Sequence, residues 1–258
     1  SVARLGGGER PMKGVVLAGG RGTRLDPMTR VTNKHLLPVY DRPMICYPLR
    51  QLVEAGIERI LIVTSEDHAG DFLRLLGNGH EFGLRRLDFI YQAGEGGIAA
   101  ALGLAEHFAD GEPLCVILGD NIFQHPIAPE VDRYRDQGKG ARILLKEVDD
   151  PERFGVAEVE GDRVLGVEEK PKRPLSRLAV TGCYFYDGRV FEIVQGLSPS
   201  GRGELEITDV NNEYLKRGNL KVKVMPNGSA WLDAGTAESF FDTSSYIRTI
   251  QRRQGVCI

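Results

Sequence analysis

Four short apolar runs alternate with helix-period segments in the first half of the chain, and this alternation constrains the fold more than any other feature. KGVVLAGG starts as a buried strand at Lys13, and RILIVTS, LDFIYQ and PLCVILGD follow the same pattern. Between them, PLRQLVEAGI sets Leu49, Leu52 and Val53 on one helical face with Gly56 as a stop. GDFLRLLGNG and GGIAAALGLAEHFADG each read as one helix. Strands that are apolar throughout and joined through helices belong to a parallel sheet covered on both faces.

From about residue 140 the rhythm changes. ARILLKEV, FGVAEVEGDRVLGVEEKP and LAVTGCYFYD are strands separated by turn signals such as Gly161-Asp162. Two helices, in ITDVNNEYLKRG and AESFFDTSSYIRTIQRRQG, bracket the strand KVKVMP and the segment SAWLDAGT. No repeat or long linker divides the chain, so residues 12–258 are expected to form a single domain behind a loose, Gly-rich leader, 1–11.

With 258 residues, 41% of them hydrophobic, the chain has ample material for such a core. A net charge of −3 provides no basic field for nucleic acid, so an anionic partner must be met by local cations, and a small molecule is expected. The four cysteines (Cys46, Cys115, Cys183 and Cys257) and five histidines show no metal-ligand spacing. No run is long enough to span a bilayer, and the leader lacks the apolar stretch of a signal peptide. These features predict a reduced, cytoplasmic protein with no membrane partner.

LAGGRGTRLDPMT, residues 17–29, ends the opening strand. It is not a dinucleotide fingerprint, because Leu25 stands where the third glycine belongs, and no lysine followed by Ser or Thr completes a P-loop. The glycines can simply serve a tight turn. Yet ligands of open α/β sheets bind beyond the carboxyl ends of strands, and glycines let backbone N–H groups converge on an anion. Arg24 can grip two phosphate oxygens, and Lys34 in NKHLLP can act as a second clamp. Asp120, after LCVIL, should lie at a strand's carboxyl end, and taken alone it reads as a cap or turn residue. Asp233 has a similar plain reading, as N-cap of the helix that begins near Thr236.

In order and spacing, LAGGRGTRL, NKHLLP, PMICYP, ILGDNIF, PERFGV, EEKP, VTGCYFYD, RGELEITDVN and AWLDAGT resemble the sugar nucleotidyltransferases over residues 12–255. Within that family the chain most resembles members that join dTTP to glucose 1-phosphate. The resemblance implies an α/β fold with a doubly wound, mostly parallel, Rossmann-like nucleotidyltransferase sheet and a β-rich sugar-binding lobe. Residues 12–139 would mainly hold the nucleotide and 140–258 the sugar.

It also implies roles. Leu17, Ala18, Gly19, Gly20, Gly22 and Thr23 would surround the nucleotide, with Arg24 and Lys34 on the triphosphate. Asp120 and Asp233 would share Mg2+, an ion that takes few protein ligands and bridges phosphates. Glu169 would accept from sugar hydroxyls and Lys170 would bind the sugar phosphate, with Gly155 and Val180 offering backbone groups. Gln92 presents a donor and an acceptor in one plane, matching the edge of thymine or uracil, and the Gly97 N–H would complete that contact. Glu168 reads as solvated, and Trp231 as core packing. The catalytic set is therefore Arg24, Lys34, Asp120, Lys170 and Asp233.

The chain departs from the family pattern at His35 and Ala100, where many relatives carry Gln, which leaves dTTP and UTP both open. Relatives assemble as homodimers or homotetramers. Long-form members continue past RRQGVCI into a tail that helps form a feedback site, so such feedback is not expected to carry over.

Overall fold

The computed structural model describes residues 11–161, 163–256 and 258. The expected leader thus lies outside the described residues except for Pro11, as do Cys257 and the Asp162 half of the Gly161-Asp162 turn.

Strands β1 (Lys13–Ala18), β4 (Arg59–Ser65), β5 (Arg86–Gln92) and β6 (Leu114–Leu118) form the parallel centre of a nine-stranded sheet, with β6 and β4 flanking β1. Alternate side chains of β1 enter opposite cores. Val15 and Leu17 pack on one face, while Val16 and Ala18 pack on the other, as a strand period of two requires. Helices α1 (Cys46–Glu54), α2 (Ala69–Leu76) and α5 (Ala128–Gln137) cover one face, and α3 (Ile98–Gly103), α6 (Val190–Gln195) and α7 (Ile207–Lys216) cover the other. This is the doubly wound arrangement read from the sequence.

The second half of the chain continues the same sheet through β8 (Ala141–Glu147), β9 (Gly155–Glu160), β10 (Arg163–Glu169), β11 (Leu178–Tyr186) and β12 (Leu220–Val224). Strand β11 joins the halves antiparallel, pairing with β6 over Cys183–Tyr186 and touching β9 at Ala179. Its register against β8 skips from Val180 to Tyr184, so residues 181–183 form a bulge where the two halves meet. Two small pairs complete the fold: β2 (Pro38–Val39) with β3 (Arg42–Pro43), and β7 (Asn121–Phe123) with β13 (Trp231–Asp233). The long helix α8 (Ala237–Gln254) packs on them through Ile247, in one apolar cluster with Val39, Ile122 and Ala234.

Two local readings are corrected. The segment expected as one helix from GGIAAALGLAEHFADG is broken into α3 and α4 (Glu106–Ala109). Gly103 disfavours continuation, and Leu104 and Ala105 make tighter i−3 bonds to Ala101 and Leu102. Lys13 then anchors the end of α4. Its buried Nζ donates to the Phe108 and Ala109 carbonyls at 2.7 and 2.9 Å and meets Glu112 at 2.9 Å. Second, Asp233 does not cap α8, because Thr236 and Ser239 bond reciprocally in a capping box of their own.

Among the described residues, no helix is long and apolar enough to cross a membrane. Cys46, Cys115 and Cys183 are free and buried.

Candidate active site

The glycine loop leaves the carboxyl end of β1 beside the end of β6, where the Gly119 N–H donates to the Leu17 carbonyl at 2.9 Å. A cleft of about 730 Å³ opens there. Its walls include Leu17, Gly19, Gly20, Gly22, Thr23, Arg24 and Lys34 from the first part of the chain, Gln92 from the end of β5 and Gly97 from the loop that follows it. Asp120, Gly155, Glu169, Lys170, Val180 and Asp233 line the same space. Ala18 does not: it is fully buried, and its carbonyl accepts from Asn33 Nδ2 at 3.2 Å.

Glycine is required at particular points. A Cβ on Gly22, whose φ is +67°, would lie 2.9 Å from the Lys34 Cβ. One on Gly97, at φ +87°, would lie 2.6 Å from the Leu205 carbonyl. Leu205 N–H donates to the Gly96 carbonyl at 2.9 Å, and the Leu205 carbonyl accepts from Ala99 N–H at 3.1 Å. The GEGGI loop is thereby joined to the segment that precedes α7. Gln92 lies between these loops, with Nε2 donating to the Gly97 carbonyl at 3.4 Å.

Charge is concentrated at the centre. Lys34 and Asp120 form an ion pair, and Asn121 Nδ2 donates to the other Asp120 oxygen at 2.9 Å. Burial opposes ionisation of Asp120, but the charge of Lys34, a smaller effect of His35 and the hydrogen bonds from Lys34 and Asn121 hold its carboxyl well below the usual range. Asp233 is pushed up to about 6, first by burial and then by the charge of Asp120, against the opposing pull of Lys34, Arg24 and Arg153. A Cβ on Gly235 would lie 3.3 Å from both Asp233 oxygens and 3.6 Å from Arg24 Nη2, so that guanidinium shares the Asp233 corner. His35 is buried and neutral, its pKa lowered to about 3 by desolvation and by Lys34, and its Nδ1 lies 2.7 Å from Asn33 Oδ1.

On the opposite wall, Glu169 Oε2 accepts from Thr208 Oγ1 at 2.6 Å, and its Oε1 lies 3.6 Å from Lys170 Nζ and 3.5 Å from Arg202 Nη2. Lys170 has φ +44°, and its N–H bonds the Phe154 carbonyl at 3.0 Å. A Cβ on Gly155 would crowd Thr208 Oγ1 at 3.3 Å and Glu169 Oε2 at 3.4 Å.

Sequence reasoning did not single out Asn121, Arg153, Tyr184, Arg202 or Thr208, all of which line the cleft. Arg153 and Arg202 stood inside PERFGV and RGELEITDVN, and a positive charge within two residues of a glycine was the available signal. Trp231 is more than packing: it lines the cleft, its Nε1 donates to Asn121 Oδ1 at 2.7 Å, and its ring lies 5.0 Å from that of Phe154.

A glycine loop and a shared set of cations and carboxylates at the carboxyl edge of a doubly wound sheet define a phosphate-handling α/β protein. The chain belongs to the nucleotidyl transferase family, whose profile matches residues 13–249. It is 46% identical over 249 residues to the glucose-1-phosphate thymidylyltransferase of Neisseria meningitidis, covering 96% of this chain and 86% of that one. The Mycobacterium tuberculosis protein of the same name is 44% identical over 247 residues, covering 95% and 85%. A Bacillus anthracis structure, provisionally described as a glucose-1-phosphate thymidylyltransferase in complex with a sucrose, superposes with a TM-score of 0.88 at 50% identity over 92% of this chain and 95% of that one. A UDP-glucose pyrophosphorylase complexed with UDP-glucose gives 0.81 at 25% identity, covering 93% and 99%.

Proposed function

We propose that the chain transfers a thymidylyl group from dTTP to glucose 1-phosphate, giving dTDP-glucose and pyrophosphate. The observation that carries this reading is the convergence of Arg24, Lys34, Asp120, Lys170 and Asp233 on one cleft. A phosphate oxygen of the sugar attacks the α-phosphorus, the bond to the pyrophosphate oxygen breaks, and no proton need move, since a phosphate monoester is largely a dianion at neutral pH. The residues therefore have two tasks: to align two polyanions and to offset the charge that builds on the α-phosphate and the leaving group.

Arg24 and Lys34 bind the triphosphate, the glycine loop lets it approach the backbone, and Lys170 holds the sugar phosphate. Glu169, already accepting from Thr208, takes sugar hydroxyls together with the backbone at Gly155 and Val180. Gln92 and the Gly97 N–H read the pyrimidine.

The carboxylates fit a divalent cation. Asp233 is a partly buried acid, 3.6 Å from Arg153 Nη2, whose ionised form is opposed by burial and by the charge of Asp120, a conflict that a bound cation would relieve. Among the described residues no group of three or more His, Cys, Asp or Glu is assembled, and Mg2+ suits a two-carboxylate site because phosphates and water supply its remaining ligands. Bound at Asp120 and Asp233, Mg2+ would supply charge neutralisation at the phosphate oxygens.

Nucleotide binding falls mainly to residues 12–139 and sugar binding to 140–258. The free, buried cysteines support a cytoplasmic setting, and sedimentation tests assembly as a homodimer or homotetramer. The reading is tested by pyrophosphate release, crossing dTTP, UTP, CTP, ATP and GTP with several sugar 1-phosphates, with and without Mg2+. Turnover of dTTP with glucose 1-phosphate is expected; preference for UTP replaces the base assignment, and no turnover with any pair removes the reading.

A further inference from the structure

The Asn121 side chain joins three parts of the molecule. Its Nδ2 donates to Asp120 Oδ1 at 2.9 Å, at the end of β6. Its Oδ1 accepts the Gly182 N–H at 3.0 Å and the Trp231 Nε1–H at 2.7 Å. Gly182 lies in the β11 bulge, where pairing with β6 has stopped, so the amide satisfies a backbone donor that the ladder leaves over. The fit is close: a Cβ on Gly182 would lie 2.6 Å from Asn121 Cγ and Oδ1.

An amide that is 3% exposed and has both ends engaged is held in one orientation. Its donor occupies Oδ1 of Asp120, which leaves Oδ2 to face Lys34. Asn121 is also the cross-strand partner of Asp233 in the β7–β13 pair. One residue therefore bonds the first carboxylate directly and pairs across the strands with the residue that carries the second, and its amide is itself oriented by an indole on the cleft wall.

We infer that Asn121 is a positioning residue for the transfer reaction: it fixes the Asp120 carboxylate and links that carboxylate to the Trp231 wall. This inference rests on the thymidylyl-transfer reading. A residue that merely filled the bulge would affect melting, but it would not act selectively on turnover or depend on the Trp231 N–H.

The test is a double-mutant cycle on the full chain with Asn121→Ala, Trp231→Phe and both together, read by steady-state kinetics and by electron paramagnetic resonance of Mn2+ in the presence of dTTP. Asn121→Ala is expected to lower kcat about 30-fold with both KM values within about 3-fold, and to weaken Mn2+ binding about 5-fold. Trp231→Phe should lower kcat about 5-fold in the parent and have no further effect beside Asn121→Ala. If Asn121→Ala fails to fold, Asn121→Ser is read in the same way. Unchanged kcat and Mn2+ binding, or a Trp231→Phe effect that persists in full beside Asn121→Ala, overturns the inference. Should the parent turn over no substrate pair, the functional reading fails, and the Mn2+ measurement alone still decides whether Asn121 orients Asp120.

Discussion

Lys34 and Asp120, 86 residues apart in sequence, form an ion pair whose side chains are 12% and 11% exposed. The pair places the cation proposed to bind the triphosphate beside a proposed metal carboxylate, and it makes the cleft part of the fold's stability. Removing one partner leaves a buried charge without compensation. Lys34→Met should destabilise the protein by on the order of 2–3 kcal/mol at pH 7 and lower kcat/KM at least about a hundredfold. Because the folded-state pKa of Asp120 is depressed, the pair's contribution is complete above the ordinary carboxylate pKa of about 4 and fades in more acidic solution. Chemical denaturation of both proteins at pH 7 and pH 3 checks this, since the gap between them should narrow at pH 3.

Asp233 has the opposite sign. Its folded-state pKa is raised to about 6, so the native state binds the proton more readily and stability falls as pH rises between the ordinary value of about 4 and 6. In metal-free solution Asp233→Asn should be more stable than the parent by on the order of 1–2 kcal/mol at pH 7.5 and equal to it at pH 4. The same variant should lose at least about a hundredfold in kcat. Melting curves at the two pH values, in chelator, decide the first part; a less stable variant at pH 7.5 contradicts it.

Gly97→Ala is expected to affect both substrates. The new methyl would meet the Leu205 carbonyl at 2.6 Å in a left-handed conformation, disturbing the bonds that join the loop proposed to read the pyrimidine to the segment leading into Thr208. We expect KM for dTTP and for glucose 1-phosphate each to rise about tenfold or more, with a destabilisation of about 2–3 kcal/mol. A rise confined to one substrate would show that the two loops are not coupled.

Gln92→Glu removes a donor while preserving shape. KM for dTTP should rise about 10- to 100-fold and that for glucose 1-phosphate should stay within about 3-fold. Steady-state kinetics with each substrate varied in turn measures both.

The sequence made the parallel centre legible because its strands are apolar in both directions and its loops carry strong turn residues. It was silent on α5, whose ten residues APEVDRYRDQ bury Val131 and Tyr134 but present mostly charge, and on the six-residue α6. The glycine loop, Arg24 and Lys34 could be read from local chemistry alone. Asp120 and Asp233 needed the family resemblance, because no local pattern states that residues 113 positions apart adjoin the same β7–β13 pair. Asn121 was hidden for a related reason: its significance lies in contacts to Gly182 and Trp231, 61 and 110 residues away, and nothing in ILGDNIF encodes them. Trp231 does pack against the core, but its bond to Asn121 was not legible, because an indole at the start of a short strand gives no sign of where its N–H points.

The central claim is that two polyanions meet in one cleft and react in a single in-line displacement. The stereochemistry at the α-phosphorus tests it most directly, with one diastereomer of the α-thio analogue of dTTP as donor to glucose 1-phosphate. The account predicts inversion of configuration in the thio-dTDP-glucose formed. Retention would mean two successive displacements through a covalent nucleotidyl intermediate on the protein, and would contradict it.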